Sequence, residues 1–538
     1  MSPMKKTVKV ALIIAGSIIL LFLVLIVGGQ ALVKGEINKT FDKGTIEIGG
    51  TVYDIKAGKV KVSIPARSVV VSDISIRSQA GEDASRAEVT VNIGKASLKG
   101  IFYKKSRRTG DRHSIGARVL EIDTPNVFFQ GPRHPVANKE KEEKGSGSAL
   151  TGRFSLLSVK QIIVNTGSAR ITGWKDGHEY VYTVDGLSLE AEGFAMGEKA
   201  DTAGKILFSD RIKAGADRFV TITKWGAMAM EIDGLAADSR DNSLSLDGFK
   251  MLPQYPRLEY AAKVWDHSDW TQTELENIKV FNIDYRGLVS DKAIKADSAS
   301  IGGGKVASYK NRNIQPLNKV PLYYESLRKL SIPLDIPKIA ISGIDVDYHE
   351  LAPGADAPGA VTVTGITGEL QGLTNRAAHE KQTFRLVADA KLMGKAPFHA
   401  VMTMPVDRRY DHWEFIGKIG EMDMQILNPA VENLANVRIT SGMMHELDFH
   451  IVGNAATSHT TAVMSYDGLE IVLLKKHDHG RERHVLSFLA DTLVIRHQNP
   501  DRRGHLHTGE GDAERDYYKS QFNFIVRSLI AGVKGILI

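Results

Sequence analysis

Two patterns of apolar and polar residues divide this chain. Residues 10–33, from Val10 to Val33, contain no charged residue. A helix needs about 20 apolar residues to cross the hydrocarbon core of a bilayer, so this run predicts a transmembrane helix. Residues 32–43 predict a short polar extension of it. From there the period becomes two. Lys59-Val60-Lys61-Val62-Ser63-Ile64 alternates, as does Glu88-Val89-Thr90-Val91-Asn92-Ile93. The same alternation returns in Leu187-Ser188-Leu189-Glu190, Leu244-Ser245-Leu246-Asp247, Ile344-Asp345-Val346-Asp347-Tyr348, Val361-Thr362-Val363-Thr364 and Leu447-Asp448-Phe449-His450-Ile451. One apolar and one polar face, repeated, predicts half-buried antiparallel strands. Such runs number roughly 25 to 30. Gly, Asn and Asp punctuate them, as in Asp241-Asn242 and Tyr466-Asp467-Gly468.

Helical spacing is rare. Residues 321–331 predict a short helix with Pro321 at its start, and residues 427–435 another. The clearest case follows Arg515. Phe522, Ile525, Val526, Leu529, Val533, Ile536 and Leu537 recur at spacings of three and four, with Lys519, Arg527 and Lys534 between them. This predicts an amphipathic helix with a basic polar face within 514–538. Phe522, Ile525, Leu529, Val533 and Lys534 are its candidate membrane or partner contacts. Docking on the chain's own strands is the alternative. Residues 132–149 are charged, then Gly/Ser-rich, and read as a disordered linker. The division expected is a cytoplasmic end (1–9), a transmembrane helix (10–33), a strand region (34–513) and a terminal helix (514–538).

Charge orients the apolar run. Lys5, Lys6 and Lys9 precede it, whereas Lys34 and Lys39 follow it mixed with Glu36 and Asp42. The cationic flank stays in the cytoplasm, so the bulk of the chain is exported. A cleaved signal peptide is the rival, with Gly29-Gln30-Ala31 as its cleavage site, but a signal core is only about 7–15 residues long. At 538 residues and 43% hydrophobic, the chain can bury a sizeable core. It has no cysteine. That excludes a disulfide framework, Cys-ligated zinc, Fe–S clusters and thiol catalysis. The net charge of +6 suits solubility, or anionic lipid headgroups and other acidic envelope polymers. An exported chain meets little nucleic acid.

Catalytic signals are thin. Ile301-Gly302-Gly303-Gly304-Lys305-Val306 lacks the earlier Gly and the following Ser or Thr of a phosphate loop, and reads as a Gly-rich turn. There is no Gly-x-Ser-x-Gly elbow and no His-Glu-x-x-His. Asp345, Asp347 and His349 share one strand face, with Glu350 next, and read as solvent-facing alternation more readily than as a cation site. His477, His479 and His484 fall in a charged stretch expected at a hairpin tip, and His505 and His507 are similar. Trp265 and Trp270 bracket a short polar segment, read as a loop anchored by two aromatics. No cofactor and no metal site is expected, and no enzyme.

Several stretches together resemble one family. They are Ser68-Val69-Val70-Val71-Ser72-Asp73-Ile74-Ser75-Ile76, then residues 309–350 with Tyr309-Lys310-Asn311-Arg312, Leu327-Arg328-Lys329-Leu330 and Tyr348-His349-Glu350. The C-terminal part adds Asn499-Pro500, Glu514-Arg515-Asp516 and residues 522–529 with Gly532-Val533-Lys534. With the N-terminal apolar run and the absence of cysteine, the chain resembles the AsmA-like family of Gram-negative envelope proteins, in a branch of Bacteroidetes type. The resemblance implies a single-pass inner-membrane protein with its N-terminus in the cytoplasm and its bulk in the periplasm. It implies a mainly β fold: a long repetitive antiparallel sheet curled into an elongated apolar groove. The family, related to bridge-like lipid transfer proteins, has no catalytic motif to carry over.

That role has a physical rationale. At about 0.8 kcal/mol per methylene, exposing a roughly 16-carbon chain to water costs about 12 kcal/mol. A trough with one apolar face offsets most of that. Strands numbering 25 to 30 at their usual spacing would make a sheet roughly 120–145 Å long. Val60, Val62, Ile64, Val89, Val91 and Ile93 are the candidate groove lining. Closed sandwich domains would bury the same residues against each other. The expected function is to carry or shield phospholipid acyl chains, contributing to lipid transport and outer-membrane homeostasis. The alternative is a structural or assembly factor for periplasmic or outer-membrane proteins without lipid transfer.

Overall fold

The computed structural model describes residues 45–48, 51–78, 87–104, 113–131, 154–175, 177–197, 200–201, 203–223, 226–474 and 495–538. The apolar run 10–33, its extension 32–43, the linker 132–149 and His477, His479 and His484 lie outside the described residues. Among the described residues no helix is long and apolar enough to cross a membrane. They are mainly β, with 24 strands. The chain divides into two compact units: one of Met1–Asp247 with Asn282–Ala293, the other of Gly248–Phe281 with Ile294–Ile538.

The first unit holds β1 (Thr45–Ile48), β2 (Thr51–Lys56), β3 (Val60–Ser63), β4 (Ser68–Ser78), β5 (Glu88–Lys99) and β6 (Phe102–Lys104). These are followed by β7 (His113–Gln130), β8 (Phe154–Lys175), β9 (His178–Met196), β10 (Arg211–Thr223) and β11 (Met228–Asp238). Strand β12 (Ser243–Pro253) begins in this unit, after a turn in which Asn242 takes a left-handed conformation (φ 49°). Pairing runs β1–β2–β4–β5–β7–β8–β9–β10–β11, with β3 also on β4 and β6 on β7.

The second unit has β13 (Trp270–Phe281), β14 (Ile294–Lys295), β15 (Ser298–Asn311), β16 (Leu334–Leu351), β17 (Gly359–Thr374), β18 (Thr383–Leu392) and β19 (Ala396–Pro405). It continues with β20 (Trp413–Ile419), β21 (Met422–Asp423), β22 (Val437–Gly453), β23 (Thr457–Leu473) and β24 (Thr508–Glu514). Besides a single turn at Tyr260–Lys263, its helices are α1 (Tyr323–Arg328), α2 (Asn428–Ala435) and α3 (Gln521–Leu537). Pairing runs β13–β15–β16–β17–β18–β19–β20–β22–β23–β24, with β14 on β16 and β21 on β22.

The antiparallel expectation needs correcting at three pairs. β7–β8, β14–β16 and β15–β16 are parallel. The connections explain it. Residues 131–153 and 312–333 are too long for hairpins, and parallel neighbours need a crossover of about a dozen residues or more. The second crossover contains α1.

A second correction concerns the punctuation. Many of the Gly, Asp and Asn positions lie in mid-strand. On β4 the buried apolar residues are Val69, Val71, Ile74 and Ile76, so the alternation slips by one at Asp73 (φ 55°). On β5 they are Val91, Ile93, Ala96 and Leu98, with the slip at Gly94. Ser72 pairs with Lys95 and Ile74 with Ile93, which sets Asp73 against Gly94. Gly94 in turn faces Thr124 of β7 (φ 50°). The series continues through Thr166 of β8 (φ 50°), Gly186 of β9 (φ 64°), Asp217 of β10 and Gly234 of β11 (φ 61°). A left-handed residue turns every later side chain to the opposite face. When the neighbouring strand slips at the same level, the ladder survives and the apolar set stays on its own side. Gly, Asn and Asp tolerate that conformation best. Each kink bends and twists its strand, and in register they make a crease across the sheet of the first unit.

The second unit has its own crease. Asn277 of β13 (φ 51°) sits against Gly302, and the series passes to Gly343 of β16 (φ 67°) and Gly365 of β17 (φ 63°). The Gly302–Gly304 run is therefore the middle of β15, where a turn was expected. A Cβ at Gly302 would stand 2.9 Å from that of Asn277, and one at Gly304 would collide with the β13 backbone. Tyr466-Asp467-Gly468 likewise lies inside β23, beside register shifts in its pairing with β22.

Candidate apolar binding surface

The crease keeps one face of each unit apolar, but the two faces differ in closure. In the first unit Ile76, Val91, Ile93, Leu98, Leu120 and Ile122 are buried in a single core. Of the six candidate lining residues, Val91 (1% exposed) and Ile93 (4%) belong to that core, and Val60 and Val89 pack half-buried against it. Val62 (39%) and Ile64 (81%) lie outside it. The reason is position: β3 is four residues long, its described partner is β4 alone, and Ile64 falls beyond its end.

In the second unit the corresponding face of β13, β15, β16 and β17 is half-buried. The register carries Ile278 to Ile301, Ile301 to Ile341, Val306 to Val346, Ile344 to Ile366 and Val346 to Val363. Cross-strand partners share a face, so these residues form one aliphatic wall. Each is of intermediate exposure. Beyond β17 the apolar face closes again, over a core that includes Phe384, Met402, Phe449, Ile451 and Met464.

Helices do that closing. In α2, Leu434 lies against Gly359 at the start of β17, and Asn428 exchanges hydrogen bonds with Ile439 of β22. Before α3, Arg515 is buried and donates to the carbonyls of Val320 (2.6 Å) and Ala455 (3.1 Å). Helix α3 packs on β23 and β24. Its docked stripe is Gln521, Phe524, Ser528, Gly532 and Ile536. The Ser458 and Ser528 hydroxyls lie 2.6 Å apart, the Phe524 ring meets Trp413 edge-on at 5.5 Å, and Gly509 and Gly511 admit the helix backbone.

The terminal-helix candidates are thus placed unevenly. Ile525, Leu529 and Val533 flank the docked stripe, half-buried, and Lys534 is exposed. Phe522 is half-buried with its ring 4.9 Å from that of Tyr348 on β16. Sequence reasoning followed the large apolar side chains and missed the small ones that dock. Ser528 and Gly532, four apart between Phe524 and Ile536, were the available signal.

Charges gather at the Tyr348 end of the wall. Lys310 is buried, 3.2 Å from both carboxylate oxygens of Asp269, and donates to the Tyr518 carbonyl. Arg312 approaches buried Glu350 at 3.4 Å, and the Tyr348 hydroxyl donates to Glu350 at 2.6 Å. Burial and then the Glu350 charge push the Tyr348 hydroxyl well above its ordinary pKa. Lys519 pairs with Asp516 at 3.5 Å. Burial, then repulsion from Arg312, lowers its pKa, with Arg527 adding to the repulsion.

The remaining candidates are structural. Asp345 accepts from the Gly365 backbone N–H (2.8 Å) and so ties the crease between β16 and β17. Asp347 lies 2.8 Å from His349. His505 and His507 both lie 3.4 Å from Asp501. Among the described residues no three His, Asp or Glu groups are arranged to hold a metal ion. Trp270 is buried under the Arg257 guanidinium and Trp265 is exposed. Comparison with protein-family models, curated proteins and solved structures finds no match for this chain.

Proposed function

We propose that this chain binds phospholipid acyl chains along the aliphatic wall of β13–β17, and that it acts in lipid transport or outer-membrane homeostasis in the envelope, held by its N-terminal apolar run. One observation carries the reading. Ile301, Ile341, Ile344, Val346, Val363 and Ile366 form a contiguous wall that remains half-buried, while α3 covers β22–β24 and α2 packs between β17 and β22. Water against such a wall is costly, at about 25 cal/mol per Å², and a saturated chain is its chemical complement. The resemblance to AsmA-like proteins points the same way. The buried core around Val91 and Ile93 favours a second reading for the first unit, as a rigid scaffold.

Native mass spectrometry of the gently extracted full chain tests the reading. Phospholipid-sized adducts are expected. Protein free of lipid across mild detergents contradicts it.

A further inference from the structure

Part of the side of α3 turned away from the docked stripe is also apolar, next to Asn523, Arg527 and Lys534. Phe522, Val526 and Ile530 lie four residues apart, opposite the docked stripe of Phe524, Ser528 and Gly532 on a 3.6-residue turn. A helix docked by one face ordinarily shows water a polar one. These three are half-buried. The stripe starts at the Phe522–Tyr348 ring contact, where the β16 wall ends.

A surplus of positive charge adjoins it. Lys310, Arg312 and Lys519 are matched by Asp269, Glu350 and Asp516. Arg527, one position beyond Val526, has neither hydrogen bond nor ion pair among the described residues, and it lies close enough to Lys519 to act on its charge. An aliphatic stripe beside an unmatched guanidinium complements an amphiphile with a long chain and an anionic head. A guanidinium binds phosphate through paired charge-assisted hydrogen bonds. A choline head would bring its own cation against Lys519 and Arg527.

We propose that α3 holds an anionic phospholipid, its acyl chain along Phe522, Val526 and Ile530 and its phosphate at Arg527 and Lys519. This rests on the acyl-chain reading above and adds the headgroup to it.

The test uses the full chain in mild detergent. It is incubated with vesicles of phosphatidylglycerol or of phosphatidylcholine and repurified, and retained lipid is quantified by mass spectrometry. The protein should retain about tenfold more phosphatidylglycerol, because the choline cation of phosphatidylcholine is repelled by Lys519 and Arg527. Arg527→Gln combined with Lys519→Gln should abolish that preference, bringing retention of the two lipids level, and Arg527→Lys should keep most of it. Because the chain has no native cysteine, Ser458→Cys with Ser528→Cys gives a disulfide that reports a seated α3 in every variant. Equal retention of the two lipids by the unmodified protein, or an unchanged preference in the glutamine variant with α3 seated, overturns the headgroup assignment and leaves the acyl-chain reading standing. Retention of neither lipid overturns both.

Discussion

The apolar face of β4–β8 and that of β13–β17 are built by the same device, a crease of left-handed residues, and end in different states. In β4–β8 the inward positions are Val, Ile, Leu and Ala throughout, and they bury one another. In β13–β17 the crease runs through Asn277, Gly302, Gly343 and Gly365, and the aliphatics on either side remain partly open. A closed face contributes stability. A half-open one forgoes part of that contribution and offers the exposed remainder to a ligand. The proposed division between scaffold and binding wall rests on this difference.

The comparison can be broken most directly by truncation. Ile122→Ala, at a fully buried site, should cost about 2–5 kcal/mol because a cavity is left behind. Ile344→Ala on the open wall should cost about 1 kcal/mol, since water already reaches the site. Urea midpoints measure both, and equal losses would erase the distinction between the faces.

The creases allow a finer cut. Gly186→Ala forces a left-handed alanine whose Cβ meets the Asp217 carboxylate, so a loss of about 2 kcal/mol or more is expected. Gly343→Ala has a similar φ but open space around it, which leaves only the backbone term of about 1 kcal/mol. Thermal unfolding ranks the pair, and the reverse order would mean that the β16 crease is the tighter one.

The smallest effect is a pH dependence at the charged end of the wall. Burial lowers the Lys519 pKa below its ordinary 10.5. Between the lowered value and 10.5 the unfolded chain binds more protons than the folded one, so this group makes stability rise with pH across that window. Lys519→Met should flatten the rise when urea midpoints at pH 8 and pH 10 are compared. An unchanged slope would place its origin elsewhere.

Much of the fold was legible because alternation is local. The runs at 88–93, 344–348, 361–364 and 447–451 are all strands, and the segments 321–331 and 427–435 contain α1 and α2. Pairing was not legible. Nothing near residue 113 or residue 334 announces a parallel neighbour, because that follows from the length of the crossover. The Asp-Gly phrases at 185–186 and 233–234 were readable in principle: each is followed by an apolar residue in shifted phase, the mark of a mid-strand kink. Val62 and Ile64 show the limit of periodicity, which assigns a face without knowing that the strand stops at Ser63. On α3 large side chains dominate any apolar pattern, so docking through Ser528 and Gly532 was hidden.

The central claim is that acyl chains lie on the β13–β17 wall. A photo-crosslinking residue placed at Val346, and in a second protein at Val127 of the buried β7 face, tests it on the full chain exposed to phospholipid vesicles. Phospholipid adducts at position 346 and none at 127 are expected. Adducts at 127 alone, or at neither position, would contradict the claim.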